Sequence, residues 1–214
     1  MKTKIYYVMD TMCGWCYGFS DVINQVHDKY KSDFDFTVVP AGMWIDENVK
    51  TMDSSLSHFM KTHNVTISKL TGKKFGNEFE KNILESNGVV LDSLPGAKAV
   101  AIMQTVKKEK TFDYLKEIQN AFYVNGKDTN DWNFHATIAC PFGVSKELFE
   151  KEYFSDANSK TVKDYFALAD QLGVATYPSV VAIIDGKAKL ISQGYIQLSE
   201  LEVILDHLHE VALS

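Results

Sequence analysis

Two of the three cysteines in this 214-residue chain fall within four residues, in the stretch "YYVMDTMCGWCYGFSDVI" (6–23). A thiol pair at that spacing serves a metal, a redox couple or ordinary packing. Thiol chemistry runs through the thiolate, and a free cysteine, with a pKa of ~8.5, is mostly protonated at neutral pH. If Cys13 opens a helix, its sulfur meets unpaired backbone N–H groups and the positive end of the helix dipole, which favour the anion. In C-x-x-C motifs so placed the thiol pKa falls to roughly 3.5–7.5. Cys16 follows about one turn later, so its sulfur can swing within bonding distance of Cys13. Cys13 is expected to be exposed and to attack. Cys16 is expected to be more buried and to resolve the mixed disulfide.

The metal reading needs further ligands, since a closed zinc site takes four nitrogen or sulfur donors. The remaining cysteine, Cys140, precedes a proline in a helical region and reads as a small buried hydrophobe. Of the six histidines, His58 and His63 are five residues apart, off a common helical face, and His207 and His209 are two apart. The redox reading therefore needs the fewest further residues. A second signal lies far along the chain, in "GVATYPSVVAI" (173–183). A proline directly before an apolar β run is odd unless it begins the strand, and an X–Pro bond held cis is a deliberate feature of a fold.

The elements that must position these residues follow from periodicity. "KIYYVM" (4–9) reads as a buried strand, and Phe19, Val22, Ile23, Val26 and Tyr30 repeat at helical spacing over about 14–30. "FDFTVV" (34–39) is a second strand ending at Pro40, so the chain opens β-α-β, a unit that implies parallel strands. From about 52 to 172 the patterns are helical, with Pro95 near one helix start, Ser145 capping another and Gly173 stopping the last. "SVVAII" (179–184), Asp185-Gly186 and "KAKLIS" (187–192) form a hairpin signal, because Asp-Gly suits a type I′ turn. A final helix has a Ser199/Glu202 capping box and an apolar side of Leu201, Ile204, Leu205, Leu208 and Val211.

Composition sets the outer limits. With 45% hydrophobic and 23% charged residues the chain is an ordinary globular one, able to bury a sizeable core. A net charge of −6 argues against nucleic acid or an anionic membrane as partner. The first apolar run stops at Asp10, too short for a signal-peptide core, and no window approaches a membrane span. A cytoplasmic location is expected. There a structural disulfide framework would not persist.

Strand, Cys-x-x-Cys and helix at one end, with x-Pro, strand, hairpin and helix at the other, occur in the order of a thioredoxin fold. The sequence resembles the DsbA-like disulfide oxidoreductases, particularly the cytoplasmic branch related to FrnE and the predicted protein-disulfide isomerases. The segments that carry the likeness are "YVMDTMCGWCYGF", "AFYVNGKDTND" (121–131) and "GVATYPSVV". The resemblance implies an α/β thioredoxin fold, β-α-β … β-β-α, with a large all-helical insertion. Residues 1–50 and 173–214 would form the thioredoxin-like domain and 51–172 the inserted helical domain. It implies Cys13 as nucleophile, Cys16 as resolving thiol and Pro178 as the cis-proline facing them. Tyr177 would offer its backbone to an extended substrate segment, with Thr176 at the edge of that surface and Trp15 in contact with substrate. Asp10 suits a proton relay or a turn at the helix start.

The function implied is exchange of thiols and disulfides on protein or small-molecule substrates, in the reductase or isomerase direction within a reducing cell. No bound cofactor and no metal are required. Glutathione or a thioredoxin-type protein would supply electrons. Two other readings stand beside it. One is a redox-sensing adaptor of the same fold. The other is a glutathione-dependent enzyme like the kappa-class transferases, whose members typically carry serine where this chain has Cys13.

Overall fold

The alternation of the first strand sets the architecture. In a computed structural model, which describes residues 2–213 and side chains as far as Glu210, β1 (Thr3–Met9) sends Ile5, Tyr7 and Met9 to one face and Tyr6 and Val8 to the other. α1 (Gly14–Tyr30) leads to β2 (Phe34–Pro40), which pairs parallel with β1. In β2 the side chains of Phe34, Phe36 and Val38 join Ile5 and Tyr7, while Val39 joins Val8. β5 (Ser179–Ile184) lies antiparallel to β1, and β6 (Lys187–Gln193) is antiparallel to β5, giving the order β2-β1-β5-β6. The β5–β6 turn has Asp185 at φ 51° and Gly186 at φ 74°, the two positive angles that a type I′ hairpin requires.

Between β2 and β5 the chain is mainly helical. β3 (Lys50–Thr51) pairs with β4 (Val90–Leu91) in a short ribbon that closes a loop around α2 (Ser54–Thr71). α3 (Asn77–Phe79) continues as a π-helical turn, Glu80–Leu84. Then come α4 (Ser93–Val106), α5 (Thr111–Tyr123), α6 (Trp132–Ala139), α7 (Lys146–Tyr153) and α8 (Asp156–Gln171). Two-residue strands carry too little pattern to be read in sequence, so the ribbon is an addition to the expected helical block.

Helices α5 and α8 attach the block to the two faces of the sheet. α5 places Phe112, Leu115 and Ile118 in the core shared with α1 and α9 (Leu198–Leu213). α8 places Ala169 against Val8, Val39 and Val181 on the opposite face, and Val162 packs on Ala97 and Ala101 of α4. A second core forms around Met52, Met60, Phe79, Ile83 and Leu91, and it takes in Met12, Tyr17, Phe122 and Tyr123. The turn after α5 is tight because Gly126, at φ 57°, would put a methyl group 2.2 Å from the Glu78 carbonyl oxygen.

Helix ends follow local chemistry. Ser145 caps α7 by accepting the Leu148 N–H at 3.2 Å, as the sequence predicts. α9 differs from expectation. It begins at Leu198, and the Glu200 carboxylate reaches back to the Gln197 N–H at 3.2 Å, so the box is set two residues earlier than Ser199/Glu202. Leu201, Leu205 and Leu208 are buried along it, and Val211 lies outside the described side chains. Among the described residues no helix is long and apolar enough to cross a membrane.

Candidate active site

The β1–α1 loop delivers the thiol pair. Cys13 is the N-cap of α1, with extended backbone (φ −87°, ψ 114°), and its Sγ accepts the Cys16 backbone N–H at 3.3 Å. Helix starts leave such N–H groups without backbone partners, and here the sulfur takes the place that a serine or aspartate oxygen fills elsewhere. On the far side of the sulfur is the Tyr177 carbonyl oxygen, 3.7 Å away, to which the Cys13 thiol donates. The Tyr177–Pro178 bond is cis, and Pro178 leads directly into β5. Residues 164 positions apart in sequence thus meet at one sulfur.

Cys13 is a correction: expected to be exposed, it is buried, because its sulfur is held between the start of α1 and the Tyr177 carbonyl. Cys13 is only 6% exposed and Cys16 is fully buried at 0%. Burial pushes the Cys16 thiol well above its ordinary range, and Cys13 beside it acts in the same direction, with an Asp10 backbone group partly offsetting both. Trp15 is half-buried, packed against the main core. Tyr177 is half-buried, Pro178 buried and Thr176 exposed, its carbonyl accepting the Ser179 hydroxyl at 2.8 Å. Cys140 is a correction: it is exposed, lying where α6 gives way to a 3₁₀ turn, Cys140–Phe142, outside the buried stretch of the helix. No group of three or more His, Cys, Asp or Glu side chains suited to a metal occurs among the described residues.

Sequence reasoning left Asp10 between a relay and a turn, and the structure gives it a further task. Its Oδ1 accepts the Met12 N–H at 2.8 Å and the Ser93 hydroxyl at 2.9 Å, while Oδ2 accepts the Met43 N–H at 2.7 Å. The Asp10 backbone carbonyl also takes the Cys13 N–H at 3.2 Å. One buried carboxylate therefore ties the cysteine loop to the chain after β2 and to the first turn of α4. Burial raises its pKa, and the three donors pull the other way. Gly96 permits this closeness. A methyl group there would lie 2.3 Å from Thr11 Oγ1.

Helices of the inserted block press on the thiol-bearing helix. Ile67 of α2 sits where side chains on Gly14 or Gly18 would otherwise project. Tyr17 stacks on Tyr123 of α5, with ring centroids 4.8 Å apart, and donates its hydroxyl to the Lys74 carbonyl at 2.8 Å. None of these partners was legible beforehand, because each is set by packing between elements far apart in sequence.

A β-α-β opening, a closing β-β-α, and a thiol pair capping the first helix opposite the strand that follows Pro178 together define the thioredoxin fold, here with helices built into it. Residues 6–195 match the family model Thioredoxin_5, described as thioredoxin. The chain belongs to this thioredoxin family. Solved structures of DsbA-like proteins share the fold. A candidate protein disulfide isomerase from Nitrosomonas europaea is 24% identical over 99% of each chain, with a TM-score of 0.89. The cytosolic disulfide reductase DsbM from Pseudomonas aeruginosa is 23% identical over 99% of this chain and 100% of its own, with a TM-score of 0.80. DsbA from Pseudomonas aeruginosa is 18% identical over 99% of this chain and 84% of its own, with a TM-score of 0.59. At these identities the likeness is one of fold. No curated protein sequence matches the chain.

Proposed function

We propose that the protein is a thiol–disulfide oxidoreductase working through Cys13 and Cys16, in the reductase or isomerase direction. The observation that carries this reading is the Cys13 sulfur, which takes the Cys16 N–H on one side and faces the Tyr177 carbonyl on the other. An N–H aimed at sulfur stabilises negative charge there, the form in which a thiol attacks. Cys13 thiolate attacks a substrate disulfide, releases one substrate thiolate and forms a mixed disulfide. Cys16 then loses its proton and attacks Cys13 Sγ, and the second substrate thiol departs. The Cys13–Cys16 disulfide left behind is reduced by two electrons from external thiols.

In this proposal Tyr177 offers backbone hydrogen bonds to an extended substrate segment, Pro178 forms the floor, and Thr176 and Trp15 border the groove. The division into a thioredoxin-like domain (1–50, 173–214) and an inserted helical domain (51–172) belongs to the same proposal, with the insertion shaping access. A reducing compartment suits the direction. DsbM has been solved with glutathione, which makes glutathione the first electron donor to test here.

The test is single-turnover reduction of a protein disulfide together with trapping of partners. Cys13→Ser is expected to abolish reduction, and Cys16→Ser to accumulate mixed disulfides at Cys13. Full activity in Cys13→Ser would overturn the mechanism. A measured potential for the Cys13–Cys16 couple well above that of glutathione would overturn the direction.

A further inference from the structure

The sheet ends at β2, which pairs with β1 on one side only. Along its open edge one residue is already matched. The Gln104 side chain of α4 accepts the Val38 N–H at 2.8 Å through Oε1 and donates to the Val38 carbonyl at 2.9 Å through Nε2. Those are the two bonds that a residue of a neighbouring strand would exchange. Both backbone groups of a strand residue point the same way, and successive residues alternate. Phe36, two positions before Val38, therefore turns its N–H and carbonyl toward the same edge. Among the described residues neither group finds a partner there. An edge left open in this way is a template for another strand.

A cavity of about 740 Å³ opens at that point. Its lining draws Phe34 and Phe36 from the α1 face of the sheet and Lys4 and Asp35 from the other. It therefore wraps the edge of β2 and belongs to neither face alone. On the α1 side its wall is aromatic: His27 lies flat on Phe112, with centroids 4.2 Å apart, and meets Phe36 edge-on at 5.5 Å. The rim is basic, with five lysines against two carboxylates in a chain whose net charge is −6. Lys108, Lys31 and Lys110 hold ion pairs with Asp35, Asp28 and Asp113 at 2.6, 2.9 and 3.4 Å. Such exposed pairs are weak and readily exchanged. Lys4 takes no ion pair among the described residues, since Asp35 beside it is held by Lys108.

We propose that the β2 edge at Phe36 docks an extended acidic segment of a protein partner, which joins the sheet as a fifth strand. Its backbone takes the Phe36 N–H and carbonyl, as the Gln104 amide takes those of Val38. Its side chains alternate between the two faces. Carboxylates lie toward Lys4 and Lys108, and apolar residues lie toward Phe34, Phe36 and the His27–Phe112 stack. The lysines that attract such a segment also repel a second copy of the same edge, which guards against pairing of two β2 strands. Cys13 caps one end of α1 and Lys31, on the cavity rim, caps the other. For the 17 residues between them that is a separation of roughly 25 Å. A partner held here leaves Cys13 open, so the inference goes beyond the exchange reading and does not depend on it.

The experiment titrates the reduced full chain into a fluorescein-labelled peptide of alternating glutamate and valine, blocked at both ends, and follows anisotropy. A lysine–valine peptide of the same length tests charge. Two further copies of the acidic peptide, N-methylated on every valine or on every glutamate, lose the N–H groups of one strand edge at a time. The acidic peptide is expected to bind at least about tenfold tighter than the basic one, and one N-methylated copy to weaken by about tenfold. Lys4→Glu is expected to weaken the acidic peptide about fivefold. The Phe36 amide resonance in ¹⁵N NMR is expected to shift as the peptide is added. Equal binding of the acidic and basic peptides, no binding of either, or parent affinity in both N-methylated copies would overturn the proposal. So would a Phe36 amide that does not move, or a dimer of the chain that the acidic peptide fails to dissociate, which would assign the edge to a second copy. Should Lys4→Glu fail to fold, the N-methylated pair and the Phe36 amide decide. None of these results bears on the reaction at Cys13.

Discussion

Removing the Asp10 carboxylate strands three donors at once, two backbone N–H groups and the Ser93 hydroxyl. Buried donors left unpaired cost about 1–3 kcal/mol each, less where the surroundings relax. Asp10→Ala is therefore expected to lose about 3 kcal/mol of stability, lowering the thermal midpoint of a chain this size by about 10 °C. Scanning calorimetry of the reduced protein checks it, and a midpoint within about 2 °C of the parent would show that the network is dispensable. At this scale the sequence was readable where chemistry is local. Cys13 and Cys16 announce themselves by spacing, and Tyr177-Pro178 by a proline at a strand start. Asp10 was readable as a relay or a turn but not as the hub of a network, and the Thr11–Gly96 contact was not readable, since their partners lie on other elements, Ser93 being 83 residues from Asp10. Cys140 misled because the pattern around it places it in a helix but does not say which way that helix ends.

For the elements, the helical block has its own test in α6. His135 is 0% exposed, and its Nε2–H donates to the Thr129 carbonyl at 2.8 Å, anchoring the turn that precedes the helix. Burial pushes its pKa down to about 4. The unfolded chain takes up a proton at ~6.5 and the folded chain does not, so stability is complete above that pH and is lost as pH falls toward about 4. The loss is on the order of 3 kcal/mol. Urea unfolding at neutral and mildly acidic pH should show it, and His135→Gln should flatten the dependence by that amount. An equally steep dependence in His135→Gln would assign the acid sensitivity elsewhere. β1, α1, β2 and the β5–β6 hairpin could be read in sequence because alternation, period and turn chemistry agree there. The β3–β4 ribbon and the π-helical turn at Glu80–Leu84 had no such agreement, being products of closure around α2.

Across the whole molecule the two large cores share their helices. α1 gives Phe19 and Val22 to one and Tyr17 to the other, and α5 gives Leu115 and Ile118 to one and Phe122 and Tyr123 to the other. Neither core can lose its packing while the other keeps it. Heat or denaturant should unfold the reduced protein in one transition, with equal calorimetric and van't Hoff enthalpies. Two resolved transitions would mean that the helical block is held more loosely than its contacts imply.

The near-closure of Cys13, only 6% exposed, has a bearing on which clients the proposed exchange could serve. With so little of that sulfur open to solvent, a disulfide on a rigid, convex surface would be turned away by shape alone. A bond carried on a slender loop, a frayed terminus or a small tripeptide could reach the recessed sulfur. Selection of this kind works by the thickness of the visitor rather than by its residues, and under the proposed exchange activity it would favour unfinished or damaged chains over proteins already folded.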